Sequence, residues 1–439
     1  MSNETVAAAT KLNPTDAATS RPAASHSDAT SRGDATSRSS TSRSSTSPAL
    51  QIAVLAALAS IGTLATNILL PSLPTIAGAL KVTTPEVTAS ITVFLAVFAL
   101  GQLLVGPISD RYGRRIPVLA GFAIFILGSI WCGIASDLTQ HLIGRAVQAI
   151  GACATSVLSR AIARDLYSGP ALARALTLIM IAMATAPGFS PLIGSGLDHF
   201  FGWRSEFAFV GAFAALTAIA YAMLLGETHH TTRTPLNLRA VATTYYDLAT
   251  DRRFLVPALT VMLIMGGLFS VFASAPRVLI EGYGFTPLQL GLYFAGTVMI
   301  VFSAGLLSAR LAPRVGLDRA VRTGIILALL GGFALLVVGL THGGFLAFLS
   351  ATSIFLLGMG VVNPLGTAQA LSPFGSNAGA ASALLGFWQM AGAAIGVFLA
   401  AVLHPDALIA LGIVLFSASL IAMALYTRRH KAVAAAPSA

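Results

Sequence analysis

Between residues 106 and 115 the chain reads GPISDRYGRR, which places Gly106, Ser109, Asp110, Arg111, Gly113, Arg114 and Arg115 at the spacing G-x-x-S-D-R-x-G-R-R. A Gly lets two helices approach closely, and an acid at a helix end pairs with Arg residues of the next turn. Such a cluster forms a conformational latch that holds neighbouring helices in one state and releases them in another. A plain basic turn with a Gly would need the arginines but not the acid.

Three other stretches carry polar chemistry inside apolar surroundings. RAVQAIG supplies Arg145 and Gln148 about one turn inside its apolar stretch, where a charge is costly and faces a polar interior or snorkels to the interface. Asn67, a few residues before Pro71, lies at a similar depth, so Asn67 and Arg145 are expected to meet as a substrate or gating pair if their faces agree. The plainer role for Asn67 is hydrogen-bonding glue between helices. PGFSPLIGSG (187–196) gathers Pro187, Gly188, Pro191, Gly194 and Gly196, which allow kinking and close packing.

These residues sit in elements that only a bilayer would solvate. Of the 439 residues, 10% are charged and 56% hydrophobic. The mean hydropathy is +0.81. Soluble domains carry roughly 25% charged residues. Twelve apolar stretches of spanning length follow one another at 49–73, 88–108, 116–136, 141–162, 172–197, 203–225, 255–279, 287–309, 320–341, 344–369, 379–402 and 406–427. The fold class expected is therefore an all-α membrane protein with twelve transmembrane helices in two six-helix bundles. Residues 1–48, rich in Ser, Thr, Ala, Asp and Arg, read as a disordered tail. The first bundle is expected over 49–226, a central loop over 227–253, the second bundle over 254–427 and a short tail over 428–439. Basic residues fix the orientation. Arg111, Arg114, Arg115, Arg160, Arg164, Arg174, Arg233, Arg239, Arg252, Arg253, Arg310, Arg314, Arg319, Arg322, Arg428, Arg429 and Lys431 fall on the side of the two termini, against Lys81, Arg204 and Arg277 on the other. Both termini are expected in the cytoplasm.

The halves echo each other. VTTPEV (82–87) precedes the span ending in GPISDRYGRR, and GFTPLQ (284–289) precedes one ending in GLLSARLAPRVG (305–316). The second copy has Ala309 where the first has Asp110. The offset of about 200 residues implies parallel six-helix repeats.

The 106–115 stretch resembles motif A of the major facilitator superfamily. R-x-x-Q-x-x-G at Arg145, Gln148 and Gly151 is similar to a second motif of that superfamily, and 187–196 resembles motif C of its drug/proton antiporters. GWR (202–204) with Phe207 opens the sixth span as in many such transporters. ATNILLPSLP (65–74), YGFTPLQLG (283–291), Asn363 with Pro364, and AGAASALLGFWQ (378–389) resemble the bicyclomycin-resistance (Bcr/CflA) exporter group. The resemblance implies drug export by proton antiport. In that group an Asp of the first span is implicated in coupling; this chain has Asn67, which cannot titrate, and no acid in the middle of any span. By superfamily architecture Ser156, Phe269, Phe272, Phe355 and Asn363 line the central path, with Trp388 and Gln389 on the eleventh span. Core or lipid-facing packing is the alternative for each.

Other classes find little support. There is no HExxH, no GxxxxGK[ST] loop, and the adjacent His229 and His230 project in divergent directions, so neither an enzyme, an ATP-driven pump nor a metal site is expected. No cofactor is expected. The net charge of +10 is spread between apolar blocks, unlike a nucleic-acid footprint. Cys132 and Cys153 lie in apolar segments as small hydrophobes. A channel would leave the duplication and the latch without purpose. The expectation is a monomeric secondary transporter of the bacterial inner membrane, exporting small amphipathic drugs or antibiotics in exchange for protons. The alternative is a metabolite transporter or an uncoupled facilitator.

Overall fold

The computed structural model describes residues 47–228 and 238–434. The tail before residue 47, His229, His230 and Arg233 lie outside them. The described secondary structure is entirely helical. Twelve of its helical stretches are long and apolar enough to cross a membrane, and the chain is an integral membrane protein.

The first span, Pro48–Leu80, is broken: α1 (Pro48–Asn67) gives way to a 3₁₀ turn (Leu70–Ser72) and then α2 (Leu73–Leu80). Pro71 and Pro74 each lack the N–H that a continuous helix would need there. α3 (Thr84–Tyr112), α4 (Arg115–Ile134), α5 (Leu138–Leu166), α6 (Gly169–Phe201) and α7 (Arg204–Leu224) complete the first bundle. The second consists of α9 (Arg252–Ala275), α10 (Pro287–Val315), α11 (Leu317–Leu340), α12 (Phe345–Leu371), α13 (Ala378–Val402) and α14 (Ala407–Ala434). The expected central loop is not wholly a loop, because Leu238–Thr250 forms an additional helix, α8. Its Tyr245 hydroxyl donates to the Leu103 carbonyl at 3.0 Å, and its Leu248 is buried beside Phe254, Leu384 and Leu385.

Helix starts follow from capping chemistry. Both Thr-Pro signals become capping boxes: Thr83 with Glu86 at the start of α3, and Thr286 with Gln289 at the start of α10. Asp137 caps α5 and Asp251 caps α9.

The packing repeats as the sequence does. In the first bundle α4 packs on α5 and α7, α3 on α5, and α1 on α5, α6 and α7. In the second, α11 packs on α12 and α14, α10 on α12, and α9 on α12, α13 and α14. Advancing each span by six converts one set of pairs into the other, as duplicated bundles require. Small residues allow the tightest of these contacts: Gly121 and Gly151 face each other between α4 and α5, and Gly324 and Gly358 do the same between α11 and α12. The two bundles meet chiefly through α3 with α13 and α6 with α10, pairs that exchange under the same operation.

An even number of crossings puts both ends of the membrane body on one side, called here the terminal face, with the 106–115 turn. The opposite side, carrying the starts of α3 and α7, is the far face.

Candidate functional site

At the terminal face, Arg114 is the hub of the predicted latch. Its guanidinium donates to Asp110 at 2.7 Å, to Asp165 at the end of α5 at 3.0 Å, and to the Ser109 hydroxyl. Glu227, just beyond α7, accepts the backbone N–H of Arg114 at 2.8 Å and of Arg115 at 3.2 Å. The ends of the second, fourth and sixth spans are thereby tied together. Arg114 is nearly buried, and burial works against its charge. The hydrogen bonds and charges of Asp165 and Asp110 outweigh that and hold the guanidinium above its ordinary value. Gly113 adopts φ +85°, and a Cβ there would run into the Glu227 carboxylate. Arg111 and Arg115 are exposed; Arg111 lies over the Tyr112 ring at 5.3 Å.

Gly106 departs from its expected role. A Cβ there would meet nothing within 4 Å, so it permits no close helix approach. The expected motif residues of α6 divide in the same way. Gly194 lies against the Ile68 carbonyl and Gly188 against Val298 of α10, whereas Gly196 faces open space. α6 continues as helix through Pro187 and Pro191.

Toward the far face the first bundle encloses a second polar group. Arg145 is fully buried and stands over the Phe94 ring at 4.3 Å. It donates to the Ala65 carbonyl of α1 at 3.3 Å and to the Gln148 side-chain oxygen. Gln148 donates to the Ser129 hydroxyl of α4 at 2.8 Å. Nε and Nη2 of Arg145 have no hydrogen-bond partner among the described residues. The expected Asn67–Arg145 pair does not form. Asn67 is buried but donates to the Thr63 carbonyl of its own helix at 2.7 Å, so α1 meets Arg145 through backbone instead.

Glu206 completes this group and was not singled out in the sequence, where it reads as a helix-end acid. It is fully buried, and the Ser72 hydroxyl of the broken first span donates to it.

Of the residues expected along the central path, Asn363 and Gln389 come together, the Gln389 amide donating to Asn363 at 3.2 Å. Ser156 is buried, and Phe269 and Trp388 are partly so. Two are corrected. Phe355 is fully buried, its ring against Gly267 and its backbone against Gly331, and Phe272 is buried edge-on to Phe294 at 5.3 Å between centroids. Both are core side chains: Gly267 leaves room for the Phe355 ring, and Phe272 packs against another ring. A cavity of about 470 Å³ lies between α10 and α12, and none of the expected path residues lines it. Among the described residues, no group of His, Cys, Asp or Glu could hold a metal ion.

What sequence reasoning missed was partners. Asp165 and Glu227 are the latch acceptors, and the topology puts the ends of spans two, four and six on one face, which was the available signal. Gln102 of α3 donates to the Gly386 carbonyl of α13 at 3.0 Å, joining the bundles in the half of the membrane nearer the terminal face. Thr84 donates to Glu281 at 2.9 Å, joining them at the far face.

Residues 55–397 match the model of the Major Facilitator Superfamily. The chain belongs to the Major Facilitator Superfamily. Among superfamily members it is 32% identical to the uncharacterized MFS-type transporter YdgK of Bacillus subtilis, over 76% of this chain and 84% of that one. It is 28% identical to the bicyclomycin resistance protein homolog of Haemophilus influenzae, over 77% and 85% respectively. Multidrug resistance protein D of Escherichia coli is 27% identical over 82% and 91%. A D-xylose–proton symporter structure superimposes with a TM-score of 0.65 at 16% identity, covering 85% of this chain and 96% of that one, and so shares the superfamily fold. The chain is a transporter by family and fold, not an enzyme.

Proposed function

We propose that this transporter exports small amphipathic drugs or antibiotics by alternating access, driven by proton antiport, and works as a monomer in a bacterial inner membrane. The observation that carries the alternating-access reading is the interface. Two equivalent bundles meet chiefly through α3–α13 and α6–α10, with one hydrogen bond between them toward each face. The bundles rock about that seam, breaking the Gln102–Gly386 contact as the terminal face opens and the Thr84–Glu281 contact as the far face opens. The Arg114 latch fixes the ends of α3, α5 and α7 as one body, so the first bundle turns as a unit. The excess of Arg on the terminal face supports its assignment to the cytoplasm, with both termini there.

The drug-export reading draws on the names of the relatives, which include bicyclomycin and multidrug resistance proteins. Asn363 and Gln389 supply amides that would orient a substrate, with Ser156 and Phe269 on other path-lining helices and Trp388 beside Gln389. The testing experiment measures accumulation of fluorescent drugs and antibiotics in efflux-deficient cells expressing the chain, with and without a protonophore. Lowered accumulation that the protonophore abolishes is expected. Unchanged accumulation across the panel overturns drug export in favour of a metabolite substrate.

A further inference from the structure

With Asn67 unable to titrate, proton antiport needs another group, and the acids of the chain can be sorted by what they already do. Asp137 and Asp406 accept helix-start N–H groups, Asp110, Asp165 and Glu227 hold the Arg114 turn, and Glu281 accepts Thr84. Glu206 also accepts a hydroxyl, as Glu281 does, but differs from all of these in its burial. It is the fully buried acid among the described residues, its Oε1 accepts the Ser72 hydroxyl, and its Oε2 has no partner among them.

Three helices around it, α5, α4 and α6, contribute charged or titratable groups, whereas α1, which also packs on α7, contributes none. From α5 come Arg145, within electrostatic reach, and His141, which meets Trp203 and Phe207 edge-on at 6.0 and 5.4 Å between centroids. Both ring nitrogens of His141 are buried without partners among the described residues. From α4 comes Cys132, its thiol against the His141 carbonyl at 3.7 Å. From α6 comes Asp198, also within electrostatic reach. Asp198 is half-buried, and its Oδ2 accepts the exposed Thr75 hydroxyl at 2.9 Å while Oδ1 is buried. It is therefore an acid with one oxygen toward far-face water and one toward the interior.

We propose that Glu206 binds and releases the proton exchanged for substrate, with Asp198 as its contact to the far-face water. The proposal rests on the antiport reading above and names the residue that performs it. In the unprotonated state the carboxylate charge faces Arg145, and Ser72 makes a charge-assisted bond to Oε1. A proton arriving from Asp198 adds to the free Oε2. The carboxylic acid loses the charge opposite Arg145 and weakens the hold on Ser72. Ser72 lies in the 3₁₀ turn that breaks the first span, and that turn packs against α6, α9 and α10. Protonation thus acts on the far-face contact between the bundles.

The test uses the full-length chain reconstituted in liposomes, with ethidium as the transported probe, comparing wild type, Glu206→Gln and Glu206→Asp. Gln preserves shape and an acceptor for Ser72. The wild type is expected to concentrate ethidium against a pH gradient and to exchange it, without a gradient, at a pH-dependent rate. Glu206→Gln is expected to lose gradient-driven accumulation by at least about tenfold while exchange continues independently of pH, and Glu206→Asp to recover part of the coupling. Infrared difference spectra between acid and alkaline buffer read the group without any substrate: a protonated-carboxyl band is expected in the wild type and its loss in Glu206→Gln. Coupling in Glu206→Gln equal to wild type, or an unchanged band, overturns the assignment and leaves antiport standing. A wild type that exchanges ethidium but ignores the gradient overturns antiport, and this proposal with it.

Discussion

Asp110 keeps 48% of its side chain exposed while it binds Arg114, so the pair adds little to folding. Exposed ion pairs contribute about 0–1 kcal/mol. On the proposed alternating-access reading, its value to the molecule lies in which conformation it favours. Asp110→Asn is expected to leave the melting temperature nearly unchanged and to lower initial export rates about 5–150-fold, the span of a conformational coupling of about 1–3 kcal/mol. Equal amounts of protein in the membrane fraction, checked by blot, separate that loss from failed insertion. Arg114→Gln takes the guanidinium from Asp165 and Ser109 as well, leaving them only the Thr228 hydroxyl and the Gly106 carbonyl as partners, so it is expected to cost about 1–3 kcal/mol of stability in addition to transport. The 106–115 turn was legible in the sequence because charge is scarce in this chain. Its acceptors Asp165 and Glu227 were not, because they lie about 50 and 110 residues away and nothing local marks them. Asn67 misled for a related reason: depth along a helix can be counted from sequence, but the direction of a side chain depends on a broken helix whose break is set by Pro71 and Pro74.

Helix contacts give the second set of expectations. At Gly194 a methyl group would overlap the Ile68 carbonyl, which is backbone and cannot swing away; at Gly196 it would meet nothing within 4 Å. Gly194→Ala is expected to destabilise the detergent-solubilised protein by about 1–3 kcal/mol, as overpacking does. Gly196→Ala should stay within about 0.5 kcal/mol of wild type. Thermal unfolding of the purified variants decides both, and a neutral Gly194→Ala would overturn the packing role. Spans, caps and the repeat were readable beforehand because length and hydropathy, Thr-Pro-x-Glu/Gln chemistry and an offset near 200 residues all survive without tertiary context. α8 was hidden because its 13 residues are too short and too polar to stand out from a linker. What it covers, the seam beside Leu103 and Leu384, exists only after both bundles have formed.

At the scale of the whole molecule, the proposed rocking motion can be tested mechanically. Cysteines replacing Gln102 and Gly386 would sit across the bundle seam, where the wild-type side chain and carbonyl are 3.0 Å apart. Cys132 and Cys153 are buried, so they leave such a pair free to report alone. Oxidation is expected to reduce export to the level of cells lacking the protein, and a reductant to restore it. Undiminished export from fully cross-linked protein would exclude opening at that face. The two bundles match in their contacts but not in their interiors. Where the first places Arg145 against α1 and α3 and Gln148 against α4, the corresponding positions of the second hold Thr352 and Phe355, with Phe355 seated on Gly331 as Gln148 is on Gly128. On the antiport reading, a duplication that leaves its buried arginine and buried glutamate in one copy divides the work of an engine from that of a lock: the second copy can drift, swap aromatic for aliphatic, and acquire a new clientele without dismantling the drive. Chimaeras that keep residues 47–224 and borrow the second half from a relative are the natural place for new specificities to arise.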